Sequence, residues 1–104
     1  MHNEKEYNLV FAAVNQGYTD EVMHTACEAG ATGGTVVRGR WVGRHHLEHF
    51  HGITLQDEKE LLLIVCSREK RNAIMDAISK EHGLSTEQQA LVWSVPIDQL
   101  VRLS

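Results

Sequence analysis

Two neighbouring clusters of chemically capable side chains stand out in this 104-residue chain. The first is Gly33-Gly34-Thr35 followed by Arg38-Gly39-Arg40. Glycines let backbone approach a ligand closely, and arginines offer forked donors to an anion. The glycine pair equally suits a plain tight connection between a helix and a strand. The arginines, with Arg44, equally suit a solvated edge. Thr32 and Thr35 flank the glycines, and Gly39 sits between two arginines, which tilts the segment toward an anion contact.

The second cluster is His45-His46-Leu47-Glu48-His49-Phe50-His51. Neutral imidazoles are common ligands of zinc, nickel and copper. In a helix His45 and His49 would share one face, and His46 and His51 complete the candidate metal set. Residues 45–49 also satisfy the H-x-x-E-H pattern of inverted zinc peptidases. A five-residue match inside a histidine-rich segment carries little weight, and a peptidase's substrate cleft and clear third ligand do not accompany it. A solvated loop tip and a pH response near neutrality are the competing readings. Elsewhere no nucleophile with a positioned base and no pair of isolated carboxylates can be picked out, so the chain reads as a binding protein and not an enzyme.

Composition narrows the setting. The length suits one domain with one core. Net charge is -4, with 10 Lys and Arg against 14 Asp and Glu, which disfavours nucleic acid as a partner. The longest apolar run, Leu61 to Cys66, is far short of a membrane span, and the polar first residues lack a signal peptide's apolar stretch. The expected location is therefore the cytoplasm. Cys27 and Cys66 both lie in apolar patterns and are expected to be reduced and buried.

The elements that must carry these clusters follow from periodicity. Residues 6–14 form an apolar, branched run expected to be a strand. A helix over 19–29 is expected, with Thr19 as N-cap, Asp20 and Glu21 at its positive end, and Gly30 as its stop. A second strand spans 34–38, and residues 39–54 keep no clear period and read as a long excursion, of the kind that is often functional. Residues 60–66 form a third strand, entered through the charged Glu58-Lys59-Glu60. A helix over 68–82, capped by Ser67 and stopped by Gly83, buries Ala73, Ile74, Ala77 and Ile78. A fourth strand covers 90–95, Pro96 interrupts it, and 97–103 suits a short helical turn with Asp98 and Arg102 as a surface pair. The order βαββαβ predicts an α+β, ferredoxin-like two-layer sandwich: an antiparallel sheet with both helices on one face. Its other face, with Trp93 and Val95, calls for self-association.

The stretch Glu28 to Arg40 (EAGATGGTVVRGR) resembles the junction of first helix and second strand in P-II nitrogen regulatory proteins. Gly52-Ile53-Thr54 before the third strand and Val92 to Val101 at the end extend the similarity over most of the chain. It is closest to a divergent branch of the P-II-like superfamily with an Ala-Gly-Ala-x-Gly-Gly-Thr segment and a shortened T-loop. That resemblance implies a signal-transduction protein that is a homotrimer, with small-molecule clefts between subunits that usually hold an adenine nucleotide. Carried over by position, it implies Gly33, Gly34, Thr35, Arg38, Gly39 and Arg40 as ligand contacts. It also implies a protein partner, a membrane transporter or a metabolic enzyme, engaged through the loop. Two departures stand against the family pattern. Residues 83–89 (GLSTEQQ) lack the lysine of the phosphate loop and carry Glu87, and no tyrosine lies beyond Tyr18 to be uridylylated. A metal-binding trimer using the histidine-rich loop 45–51 is the alternative.

Overall fold

A computed structural model describes residues 6–40, 49–50, 53–54 and 58–101, with 49–50 and 53–54 described as backbone only. Its elements are β1 (Tyr7–Asn15), α1 (Thr19–Glu28), β2 (Thr35–Arg40), the two-residue β3 (His49–Phe50) and β4 (Ile53–Thr54), β5 (Glu58–Ser67), α2 (Arg68–His82) and β6 (Leu91–Pro96). The main sheet runs β2-β5-β1-β6, and all three pairings are antiparallel. This is the ferredoxin-like order: two βαβ halves interleave so that β1 and β5 lie side by side in the centre. The strands β3 and β4 form a separate antiparallel pair within the excursion.

The sheet has two contrasting faces, set by the period of two along each strand. Asn8, Val10, Ala12 and Val14 of β1 and Leu62, Ile64 and Cys66 of β5 turn toward the helices and are buried. They meet Val22 and Ala26 of α1 and Ile74 and Ile78 of α2, all fully buried. Each of the large aliphatic side chains contributes about 1.5–3 kcal/mol by leaving water. The opposite face carries Leu9, Phe11, Leu63, Val65, Trp93 and Val95, and no helix among the described residues covers it. Phe11 and Trp93, register partners on β1 and β6, stack with ring centroids 5.1 Å apart and planes 7° from parallel. Trp93 is still 39% exposed, Val95 42% and Val65 45%.

Several local expectations change. Tyr18, not Thr19, occupies the N-cap of α1, and no side chain caps it; the Thr19 hydroxyl donates to Glu60 instead. Ser67 sits at the N-cap of α2, also without a side-chain capping bond. Cys27 is exposed on the outer side of α1, so only Cys66 is the buried thiol expected; burial pushes its pKa up, against a smaller opposing influence of Arg71. Ala73 is exposed, leaving Ile74 and Ile78 as the buried stripe of α2. Strand β5 starts at Glu58 because pairing with β1 and β2 on both sides holds its charged entry in the ladder. Residues 97–101 form no helix. There the chain continues beside β1, with the Ile97 N–H donating to the Tyr7 carbonyl at 2.9 Å.

Gly30 ends α1 at φ +120°, a conformation side chains rarely adopt. Gly34 is required for a different reason. A Cβ there would stand 2.9 Å from the Leu63 carbonyl oxygen and 3.1 Å from Met23 Sδ, whereas one at Gly33 would meet nothing within 4 Å. Gly34→Ala is therefore expected to cost about 1–3 kcal/mol through overpacking. Gly33→Ala is expected to stay within about 0.5 kcal/mol of the parent. Thermal melting of the two variants side by side checks this.

Candidate functional site

The six residues expected to contact a ligand do not converge on one point of the subunit. They are strung along the β2 edge, where every residue from Thr35 to Arg40 is exposed. At about 3.3 Å per residue the strand separates its ends by roughly 17 Å. Gly33, Gly34 and Thr35 lie at one end. Close to it, an open cleft of about 430 Å³ lies among Thr32, Val65, Ser67, Lys70 and Leu100. Arg38, Gly39 and Arg40 lie at the other end, opposite Glu60, Lys59 and Glu58 of β5.

Pairing register divides that second end between the two faces of the sheet. Arg38 shares the helix-side face with Glu60, and Arg38 Nε lies 3.6 Å from Glu60 Oε2. The Glu60 side chain is 9% exposed, and its Oε1 accepts the Gly17 N–H at 3.0 Å and the Thr19 hydroxyl at 3.4 Å. Burying a carboxylate is costly unless it is paired and hydrogen-bonded, and here it is both. Arg38 is thus partly engaged by the protein's own carboxylate.

The open side holds a different group. Lys59 projects there, beside Gly39 and Asn15 in the register, and a Cβ on Gly39 would meet nothing within 4 Å. Lys59 Nζ donates to Asn15 Oδ1 at 2.6 Å. Removal from water pushes the ammonium pKa down. Among the described residues no carboxylate is in ion-pair contact with it, and it is the one charged side chain on the open face of the sheet. Its neighbours along β5 on that face are Leu61, Leu63 and Val65.

Asn15, 2% exposed, links this lysine to the loop before β6. Its Nδ2 donates to the Glu87 carbonyl at 2.8 Å and to Gln89 Oε1 at 3.2 Å, and its backbone N–H donates to the Gln88 carbonyl at 2.9 Å. Further ties hold the same loop. Tyr18 Oη donates to Glu87 Oε2 at 3.1 Å, which raises the phenol pKa through that hydrogen bond and the carboxylate's charge. Gln88 Nε2 reaches Glu21 Oε2 at 3.4 Å, and Gln88 Oε1 lies 3.2 Å from His82 Nδ1. The other ring nitrogen, His82 Nε2, stands 2.7 Å from Thr25 Oγ1 and so joins α2 to α1. The loop closes with Gln89 at φ 47°, a left-handed backbone that costs a non-glycine residue about 1–2 kcal/mol.

Sequence reasoning missed Asn15, Lys59, Glu60 and Gln89. Asn15 reads as the start of a turn, and Lys59 as part of a charged entry. The usable signal was the strand period: extended back from Leu61 and Leu63, it puts Lys59 on the apolar face and Glu60 on the other. The histidine set cannot be placed, since His45, His46 and His51 lie outside the described residues and His49 is described only as backbone. Among the described residues no group of three or more His, Cys, Asp or Glu is placed to hold a metal ion. No helix there is long and apolar enough to cross a membrane.

No family model matches the chain, and no curated protein matches it. Solved structures do. The crystal structure of Arabidopsis thaliana PII bound to citrate superposes with a TM-score of 0.71 at 15% sequence identity, covering 95% of this chain and 82% of that one. The fold is that of a P-II protein.

Proposed function

We propose that this chain is a cytoplasmic P-II-like regulatory protein, a homotrimer that binds a small anionic effector at the Lys59 end of the sheet and signals to a partner protein. The observation that carries the reading is the lysine itself. A partly buried ammonium, alone on an apolar face and bonded only to a carboxamide among the described residues, is a charge waiting for an anion. The uncovered face with its Phe11–Trp93 stack supports self-association, which would turn Lys59 and Gly39 toward a cleft between subunits.

The signalling part of the proposal rests on position. Lys59 lies two residues beyond the 41–57 segment that joins β2 to β5, and Gly39 lies just before it. An effector between them would change the constraint at both ends of that segment, and order–disorder of a loop is a known switching device. The partner would be a membrane transporter or a metabolic enzyme, following the P-II resemblance.

Calorimetric titration with ATP, ADP, AMP, cyclic dinucleotides and pyruvate tests the reading, with Lys59→Met as the paired variant. At least one compound is expected to bind the parent protein. The variant should lose about tenfold or more of that affinity, as expected for a charge-assisted hydrogen bond worth about 1.5–3 kcal/mol. A flat response to the whole panel, or an affinity indifferent to Lys59, would rule the reading out.

A further inference from the structure

We infer that the site at Lys59 takes a ligand through one compact anionic group, a single phosphate or carboxylate, and discriminates against a polyphosphate chain. This rests on the effector-site reading above and specifies the ligand class.

The first ground is the charge inventory. On the open side of this end of the sheet, Lys59 is the one cation among the described residues. The two arginines of β2 fall on the helix side, where Glu60 engages Arg38 and Glu58 stands opposite Arg40 in register. A polyphosphate needs several cations or a bound metal to balance it, whereas one ammonium matches one anionic group.

The second ground is the loop over residues 83–89, which Asn15 brings to within two hydrogen bonds of Lys59. A phosphate cradle needs outward backbone N–H groups and a basic side chain. Here the N–H groups of Thr86, Gln89 and Ala90 donate within the protein, to the carbonyls of Gly83, Thr86 and His82. The Glu87 and Gln88 carbonyls are taken by Asn15, and no lysine or arginine occurs from 83 to 89. The one charged residue of the loop, Glu87, is acidic and is held at the surface by Tyr18. Added phosphates extending from Lys59 toward this loop would meet the Glu87 carboxylate and no basic side chain of the loop.

The test is calorimetry on the full chain with AMP, ATP and pyruvate, repeated on Glu87→Lys and Lys59→Met. AMP or pyruvate is expected to bind with Lys59 dependence, and ATP at least tenfold more weakly. Which of the two binds decides between phosphate and carboxylate. In Glu87→Lys the ATP affinity should rise at least fivefold relative to AMP. ATP binding as tightly as AMP in the parent, with Lys59 dependence intact, would overturn the single-anion inference and leave the effector site standing. Binding of none of the three at millimolar concentration, or binding indifferent to Lys59, would overturn the inference together with the site.

Discussion

Trp93→Asp is expected to convert the protein from a particle three times the 11.7 kDa chain mass into a monomer, as read by sedimentation equilibrium. Trp93, on the edge strand β6, stacks on Phe11 of the central strand β1 on the uncovered sheet face, with the register pair Leu9 and Val95 alongside. A face this apolar is rarely left in water, and the uncovered side of a two-layer sandwich is where a second copy would bury it. In a monomer the aspartate is solvated and the helix-side core keeps its contacts. In a trimer it becomes an unpaired buried charge, costing several kcal/mol per subunit. Val95→Asp, at the sheet's edge and 42% exposed, separates this from misfolding: it should also dissociate the trimer while leaving the circular dichroism unchanged. A parent protein that sediments as a monomer, or a Trp93→Asp variant that remains trimeric, would contradict the assembly proposed here.

The second large effect is expected at Asn15. Its carboxamide receives Lys59 on one side and supplies the Glu87 carbonyl and Gln89 on the other, all at a residue 2% exposed. Asn15→Ala removes three hydrogen bonds and leaves a partly buried ammonium and a carbonyl without partners. Each loss is worth about 1 kcal/mol, and orphaned buried groups add more, so about 3 kcal/mol is expected. For a domain of this size that lowers Tm by roughly 10–20 °C. Asn15→Asp is the sharper comparison. It restores an acceptor, now charged, for Lys59, but turns a carboxylate oxygen toward the Glu87 carbonyl and the Gln89 side chain. Its melting temperature should fall between those of the parent and the alanine variant, and its affinity for any anionic effector should drop because Lys59 is then neutralised internally. Equal melting of parent and alanine variant would show that the junction does not hold the loop.

The sheet and its two helices were legible in the sequence because their signals are periodic. The branched runs around Val10 and Ile64 and the Ile74/Ile78 stripe are what bury the core, and burial is what periodicity reports. The helices begin where expected, at Thr19 and Arg68, but their capping contacts were less legible. Thr19 has the chemistry of a cap, but Glu60, far along the chain, takes its hydroxyl, and no local rule contains that contact. Cys27 looked buried because it follows Ala26, yet one step round a helix turns a side chain from core to solvent. The proposed site was little legible. Of the glycine and arginine segment Gly39 alone lies beside Lys59 in the register, while Lys59 and Asn15 are brought together only by the register of β1 against β5. Arg38 illustrates the same limit from the other side: its guanidinium suits an anion, and the fold provides one in Glu60.

An anionic effector is expected to land at the Lys59 end of the sheet. Amide chemical shifts of the isotope-labelled protein, followed during separate titrations with AMP and with pyruvate, measure this. The predicted result is a saturable set of shifts centred on Gly39, Lys59, Asn15 and residues 87–89, absent in Lys59→Met. Shifts confined to the far cleft around Thr32 and Lys70, or no shifts with either anion, would contradict it.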